Sequence, residues 1–394
     1  MALKLSHVAK FIQASYFVLL VIVFMSLYYA LCWKTWPEQS VIAYKERQTN
    51  VSVISDHGNT ERRIESSPLA LQECSPIQSL VFAKTHKTAS STVGSIFGRF
   101  GYERNLSFAL PKPGQIIMGT SKFRPTMLLS PKSTDGQGFH ILFNHVPFSK
   151  WDISKVMRPE SKFITILRNP VTHFYSAAMY FNVLKFLKFK EGNVSSNLEK
   201  LLPRLQECEY YVCKCVYNGQ YFDLGGSFGN RFRRFSSNYT NDFVKLVDRQ
   251  FDLVLIQEHL DESLLLLKKI MCWTFEDILY MSKKQKRPHS EVGLTDKQRE
   301  VILNWNYLDS ALHSHFNVTL WKRIDSYGPT FQEDLEYFKK LRKSVSDGCY
   351  QFHLSPKKEV IKQRKTLCEN LMRDVKPYTK MLIEMEMNKT NQGL

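Results

Sequence analysis

The sequence predicts an α/β fold, a central parallel sheet flanked by helices, preceded by a single N-terminal transmembrane helix. Three observations predict it. Short, wholly apolar runs alternate with segments of helical periodicity. Polar and basic residues crowd directly behind those runs. A 23-residue stretch near the N-terminus carries no charge at all.

The runs come first because they define the sheet. Leu80-Val81-Phe82-Ala83 has the length of a buried strand. A polar loop follows, and then Val93, Ile96, Phe97 and Phe100 recur at helical spacing, with Gly101 as the expected stop. The run Phe139–Phe143 leads to Asn144-His145, and Phe163–Leu167 leads to Arg168-Asn169-Pro170 and a helix expected over about 171–184. Phe251–Ile256 leads to Glu258-His259 and a helix through Trp273. Strands that are apolar throughout and separated by helices belong in a parallel sheet covered on both faces. In such sheets ligands bind beyond the carboxyl ends of the strands. From about Leu294 onward the chain reads as helical, with a basic stretch over 335–345 that suits a solvated helix face.

The N-terminus sets the compartment. Phe11–Trp33 has Lys10 and Lys34 as brackets. At 1.5 Å per residue it spans roughly 34 Å, enough to cross a bilayer. Its end, Tyr28-Tyr29-Ala30-Leu31-Cys32, is too bulky for a signal-peptidase site, so it reads as an uncleaved anchor. Residues 1–10 form a basic tail that the positive-inside rule keeps cytoplasmic. Residues 34–76 read as a polar stem, and 77–394 as a lumenal domain. Six N-x-[ST] sequons, at Asn50, Asn105, Asn193, Asn238, Asn317 and Asn388, agree with that topology. Of eight cysteines, seven lie beyond the anchor, an odd number that leaves one free or paired between chains, so a homodimer stays open. Cys208-x4-Cys213-x-Cys215 lacks the C-x2-C spacing of zinc ribbons and reads as disulfide chemistry. Cys349 and Cys368 are placed to close a loop.

Composition excludes several classes. With 43% hydrophobic and 23% charged residues in 394, the chain is not disordered, and 17 Gly and 15 Pro are too few for a collagen-like one. No period of 20–50 residues suggests a solenoid or propeller. The formal charge is +17. The anchor region carries three lysines and no acid, and the stem four bases against six acids, so the basicity lies in the folded body. Such a body attracts anions. A nuclear nucleic-acid binder conflicts with the anchor and the sequons.

The most informative segment is Lys84-Thr-His-Lys-Thr-Ala-Ser-Ser-Thr92, between a strand and a helix. Lysines, hydroxyls and helix N-terminal amides make an anion cradle. Without glycines it is not a Walker A loop. A Ser/Thr-rich helix cap is the plain alternative. Arg168-Asn-Pro with Ser176 eight residues on could add a bidentate anion contact and a hydroxyl, although alone it is no more than a surface Arg and a helix Ser.

Together these segments resemble the galactose 3-O-sulfotransferase family of the Golgi. The loop wording K-T-H-K-T-x-S-S-T carries the likeness, joined by Asn105–Pro111, Asn144-His145, Leu255–Leu264 and Phe316–Trp321. The resemblance runs over about 78–325. It implies the P-loop-like sulfotransferase fold and the donor 3′-phosphoadenosine 5′-phosphosulfate. It implies transfer of the donor's sulfuryl group to the 3-hydroxyl of a β-linked galactose on a glycolipid or glycoprotein. Thr85, Lys87, Thr88, Ala89, Ser90, Ser91 and Thr92 would hold the 5′-phosphosulfate, and Arg168 and Ser176 the 3′-phosphate. The basic segment Lys283–Arg287 sits where related enzymes close over the donor.

Sulfuryl transfer needs a base for the sugar hydroxyl and a cation for the leaving oxygen. His86, inside the cradle, is the first candidate base, and His145 the second. Lys87 or Lys84 would stabilise the leaving oxygen, and Glu258 and His259 could shape the acceptor site. No metal is expected. Two other readings stay in play: a sulfotransferase for another sugar position or an acidic glycosaminoglycan, and a membrane-anchored glycan binder without turnover.

Overall fold

The structure, a computed structural model, describes residues 74–391 except 116–117, 120, 131–132, 134, 228–236, 282–293 and 355–361. Among the described residues no helix is long and apolar enough to cross a membrane, and the expected anchor and most of the stem lie outside them. The segment Lys283–Arg287 also lies outside.

Among the described residues four strands form one parallel sheet: β1 (Leu80–Ala83), β2 (Ile141–Leu142), β3 (Lys162–Leu167) and β4 (Leu253–Ile256), in the order β2-β1-β3-β4. The sheet positions are almost all apolar and buried, as a sheet covered on both faces demands. The register pairs Ala83 with Thr165 and Leu167 with Ile256. The carboxyl ends therefore align, and the segments behind them gather on one edge. β2 is shorter than its apolar run. Phe139 leaves the ladder to bridge Met157, and Ile141 also bridges Phe108.

Helix α1 (Ser90–Glu103) buries Val93, Ile96, Phe97 and Phe100 against the sheet. Each such side chain contributes about 1.5–3 kcal/mol. Phe97 meets Phe82 edge-on at 5.1 Å, and Phe100 stacks on Trp273 at 3.8 Å. Gly101 does not stop this helix. It lies inside, because Ile141 and Phe108 occupy the space where a Cβ would sit. After α2 (Lys150–Ser154), helix α3 (Pro170–Tyr180) opens on an Asn169 cap that accepts from Val171 and Thr172, with Pro170 at its first position. It ends earlier than the expected 171–184, because Asn182 turns left-handed (φ 50°) before the short α4 (Val183–Phe186).

Next come α5 (Leu198–Glu207), α6 (Tyr211–Lys214), α7 (Gly219–Asp223), α8 (Ser237–Gln250) and α9 (Leu260–Met271). The C-terminal part is helical as expected: α10 (Asp296–Trp305), α11 (Tyr307–Asp325), α12 (Phe331–Leu354), α13 (Lys362–Met372) and α14 (Val375–Asn391). Helix α14 crosses α1 where Gly94 faces Val375 and Gly98 faces Tyr378. On α12, Lys339 and Arg342 pair with Glu262 and Asp261 of α9, which fixes part of the basic face in place.

Three disulfides join Cys74 to Cys272, Cys208 to Cys213 and Cys349 to Cys368. The odd cysteine is Cys215, which is fully buried and so not placed to bond between chains.

Glycine positions give a paired stability prediction. Gly101→Ala forces a Cβ within 2.5 Å of Ile141 and Phe108. It should lower stability by about 1–3 kcal/mol, read as a lower urea midpoint at unchanged slope. Gly348→Ala, in an exposed helical position with nothing within 4 Å, should raise the midpoint by up to about 1 kcal/mol equivalent.

Candidate functional site

The loop between β1 and α1 is held from inside by its own hydroxyls. Thr85 Oγ1 donates to Ile166 O of β3 (2.6 Å) and lies 2.7 Å from Thr88 Oγ1. Thr88 and Ser90 both return hydrogen bonds to Thr85 O. These buried hydroxyls thus shape the loop. Lys87 (φ 57°) and Ala89 (φ 62°) adopt left-handed conformations, costly for residues with a Cβ. Ala89 is the N-cap of α1 and provides no side-chain cap, and the first turn carries no acid. The helix therefore presents backbone amides and a positive dipole end without a built-in anion. Ser91 is exposed and Thr92 half-buried at that end.

Lys84 is 5% exposed, with Nζ 3.4 Å from Ser91 Oγ. Burial pushes its pKa down to about 8, partly opposed by Asp374 and Asp223. Lys87 is also lowered, first by burial and then by the Arg168 charge. Its ammonium sits 4.0 Å from the Tyr180 ring centroid. Arg168 joins the two motifs: its Nη1 donates to Lys87 O (3.0 Å) and its Nε to Thr172 Oγ1 (2.8 Å). Ser176 lies two turns into α3, half-buried.

The two candidate histidines stack, ring centroids 4.0 Å apart and 16° from parallel. His86 is 6% exposed. Its backbone N–H donates to Asp223 Oδ2 (2.6 Å), its Nδ1 lies 2.9 Å from both Asp223 oxygens, and its Nε2 lies 3.2 Å from Tyr211 OH. Burial and the Asp223 charge raise the Tyr211 pKa, which keeps its proton on oxygen. His145 Nδ1 lies 3.0 Å from Lys84 O. A carbonyl accepts only, so Nδ1 carries the hydrogen and Nε2 the lone pair. Burial, then the neighbouring His86 and Lys84 charges, hold the His145 pKa well below the ordinary value. His173, buried and lowered to about 3 by burial and Arg168, supports the loop through Nε2 on His86 O (3.0 Å).

Asp223, Gln220 and Tyr211 join the site without a motif of their own in the sequence. Gln220 clamps the Arg168 backbone on both sides, accepting from its N (2.7 Å) and donating to its O (2.9 Å). Helix α7, which carries Gln220 and Asp223, is itself capped by Asp309, which accepts from Gln220 N and Tyr221 N. Burial raises the Asp309 pKa to about 7. Nothing local in Gly219-Gln-Tyr-Phe-Asp223 marks these roles. Glu258 is a holding group: it accepts from Asn169 N (2.9 Å) and lies 3.2 Å from His313 Nε2, steadying the turn after β3. His259 packs its ring edge-on against Trp321 at 4.9 Å.

The arrangement joins an open helix N-terminus, two lysines, an arginine and a neutral imidazole lone pair. Comparison with known proteins meets it from the other side: a family model described as Galactose-3-O-sulfotransferase matches residues 8–383. The chain belongs to the galactose-3-O-sulfotransferase family. It is 34% identical over 261 residues to the galactosylceramide sulfotransferase of Mus musculus, covering 65% of this chain and 60% of the relative. It is 32% identical over 284 residues to galactose-3-O-sulfotransferase 2 of Homo sapiens, covering 70% and 69%. To galactose-3-O-sulfotransferase 3 of Mus musculus it is 30% identical over 278 residues, covering 69% and 63%. The chain thus spans 60% of the length of the galactosylceramide sulfotransferase it matches.

Lys84 yields a prediction whose sign is fixed. Its folded pKa, about 8, lies below the unfolded value of 10.5. Between those values the unfolded chain binds more protons, so stability contributed by this site rises with pH across that window. Lys84→Met should remove that rise and match or exceed the wild-type urea midpoint at pH 7.5. It should also weaken binding of adenosine 3′,5′-bisphosphate at least tenfold by calorimetry. A midpoint well below wild type at pH 7.5 would contradict the burial argument.

Proposed function

We propose that the protein is a sulfotransferase that moves the sulfuryl group of 3′-phosphoadenosine 5′-phosphosulfate to the 3-hydroxyl of a β-linked galactose. The observation that carries the reading is the stacked His86–His145 pair beside an uncapped helix N-terminus flanked by Lys84 and Lys87. Membership of the family supports the reaction class.

The residues present fit the donor. Backbone amides at Ala89–Ser91 and the side chains of Lys84 and Lys87 would hold the phosphosulfate, with Arg168 and Ser176 for the 3′-phosphate. When bound, the donor supplies a sulfuryl group on a phosphosulfate anhydride. His145 is the proposed base. Its Nε2 lone pair is set by the Lys84 carbonyl, whereas both ring nitrogens of His86 already face partners. His145 Nε2 receives the proton of the attacking hydroxyl. The new bond joins that oxygen to sulfur, and the bond that breaks joins sulfur to the bridging oxygen. Lys87 and Lys84 neutralise the charge left on that oxygen. His86, anchored on Asp223, holds the His145 ring face and the loop.

The setting belongs to the same proposal. Phe11–Trp33 would anchor the chain as a single-pass type II protein of the Golgi membrane, with the catalytic domain in the lumen. Three disulfides support an oxidising compartment.

The test uses the full chain from a secretory host with labelled donor and four acceptors: lactose, N-acetyllactosamine, the core-1 disaccharide and galactosylceramide. Label should appear on a galactose 3-hydroxyl. His145→Ala should lower kcat/KM by about 10²–10⁴ while sparing adenosine 3′,5′-bisphosphate binding. Because the His145 pKa is depressed, kcat/KM should hold level on acidification to pH 6.5 and fall only below it. If the protein binds the bisphosphate yet labels none of the four, the galactose reading fails. An acidic-polymer acceptor or a binder without turnover then takes its place.

A further inference from the structure

Beside the histidine pair the surface carries an unusual density of aromatic rings. Tyr180 is 66% exposed, Tyr210 70% and Phe186 40%. Burying rings of this size is strongly favourable, and exposed apolar clusters mark recognition sites. The rings connect to the site on two sides. Phe181 lies 5.9 Å from the His86 ring and 5.0 Å from Tyr180. Tyr211 lies 5.7 Å from His86, and its neighbour Tyr210 meets Phe186 at 5.4 Å.

Both sides are held in place. Tyr210 and Tyr211 sit inside the six-residue ring closed by Cys208–Cys213. Phe181 ends α3, and the left-handed Asn182 swings the chain so that α4 delivers Phe186 to Tyr210. A surface fixed in this way loses little conformational entropy on binding.

We propose that Tyr180 and Tyr210, backed by Phe181, Phe186 and Tyr211, form the platform on which the acceptor galactose stacks. The inference rests on the sulfotransferase reading above and adds the place of the sugar. In β-galactose the axial 4-hydroxyl leaves the carbon-bound hydrogens of positions 3 to 6 gathered on one face. That face is apolar and suits an aromatic ring. In glucose the equatorial 4-hydroxyl interrupts it. A galactose on this platform lies beside the stacked pair of His86 and His145, which Phe181 and Tyr211 meet at His86.

The platform also has a donor-free form. Lys87 Nζ stands over the Tyr180 ring, 4.0 Å from its centroid. An ammonium drawn to a phosphosulfate leaves that ring, so donor binding uncovers the sugar face. The structure thereby favours donor before acceptor.

The test measures acceptor KM with N-acetyllactosamine at saturating donor, using the full chain. Tyr180→Ala and Tyr210→Ala should each raise it about tenfold, with donor KM unchanged in Tyr210→Ala and lowered in Tyr180→Ala, where Lys87 no longer has to leave the ring. Tyr180→Phe and Tyr210→Phe should stay within about twofold, because stacking needs the ring and not the hydroxyl. Tyr337→Ala, at another exposed tyrosine, on α12, should change nothing. Adenosine 3′,5′-bisphosphate should tighten acceptor binding in wild type and lose that effect in Tyr180→Ala. If wild type labels no galactoside, the parent reading has failed. If wild type is active and both alanine variants keep KM within twofold, the platform alone has failed. A loss confined to galactosylceramide in vesicles also overturns it and assigns the tyrosines to a lipid surface.

Discussion

The lysine-hydroxyl loop depends on one carboxylate. Asp223 takes the His86 backbone N–H and faces the His86 imidazole, tying the loop after β1 to a five-residue helix 137 positions later in the chain. Both partners are buried, so losing either would leave an uncompensated polar group in the interior. The same helix sends Gln220 to both sides of the Arg168 backbone, and Arg168 reaches back to Lys87 O. The loop, the Arg168 turn and helix α7 thus lock in a closed circuit. Asp309 secures that circuit by capping α7 from α11.

Within this frame Lys87 stands in the field of Arg168, while Lys84 faces Asp374 and Asp223. Lys84 and Lys87 are both lowered, chiefly by burial, and Arg168 adds to the lowering at Lys87. Two left-handed residues add backbone strain at the same place. A fold selected for stability alone would do better with apolar groups here. An anion bound here would offset the repulsion between Lys87 and Arg168.

Much of this was legible in the sequence, and the reasons for success and failure differ by residue. β1 fell where the apolar run Leu80–Ala83 placed it, and β3 and β4 within a residue or two, because strands buried on both faces advertise themselves by composition. β2 is shorter than its apolar run because Phe139 serves a bridge to Met157 outside the ladder. Gly101 misled because tight packing was mistaken for a chain end. The lysine-hydroxyl loop announced itself through residue types at close spacing. Asp223, Gln220 and Asp309 did not, because their partners lie 52 to 137 residues away and no local pattern records the pairing. His86 and His145 were both visible as candidates. What distinguishes them is the set of hydrogen-bond partners of their ring nitrogens, which only the fold supplies.

The bridge from Cys74 to Cys272 has a consequence for how the chain is made. The two lie 198 residues apart, so at about 5–20 residues per second Cys74 emerges roughly 10–40 s before its partner. During that interval Cys208, Cys213 and Cys215 appear and compete for it. Cys208 and Cys213, only five apart, close the shortest loop and withdraw two competitors early. Cys215 leaves the competition when the interior forms around it. A chain lacking Cys213 would offer Cys208 and Cys215 to Cys74 while Cys272 is still unmade.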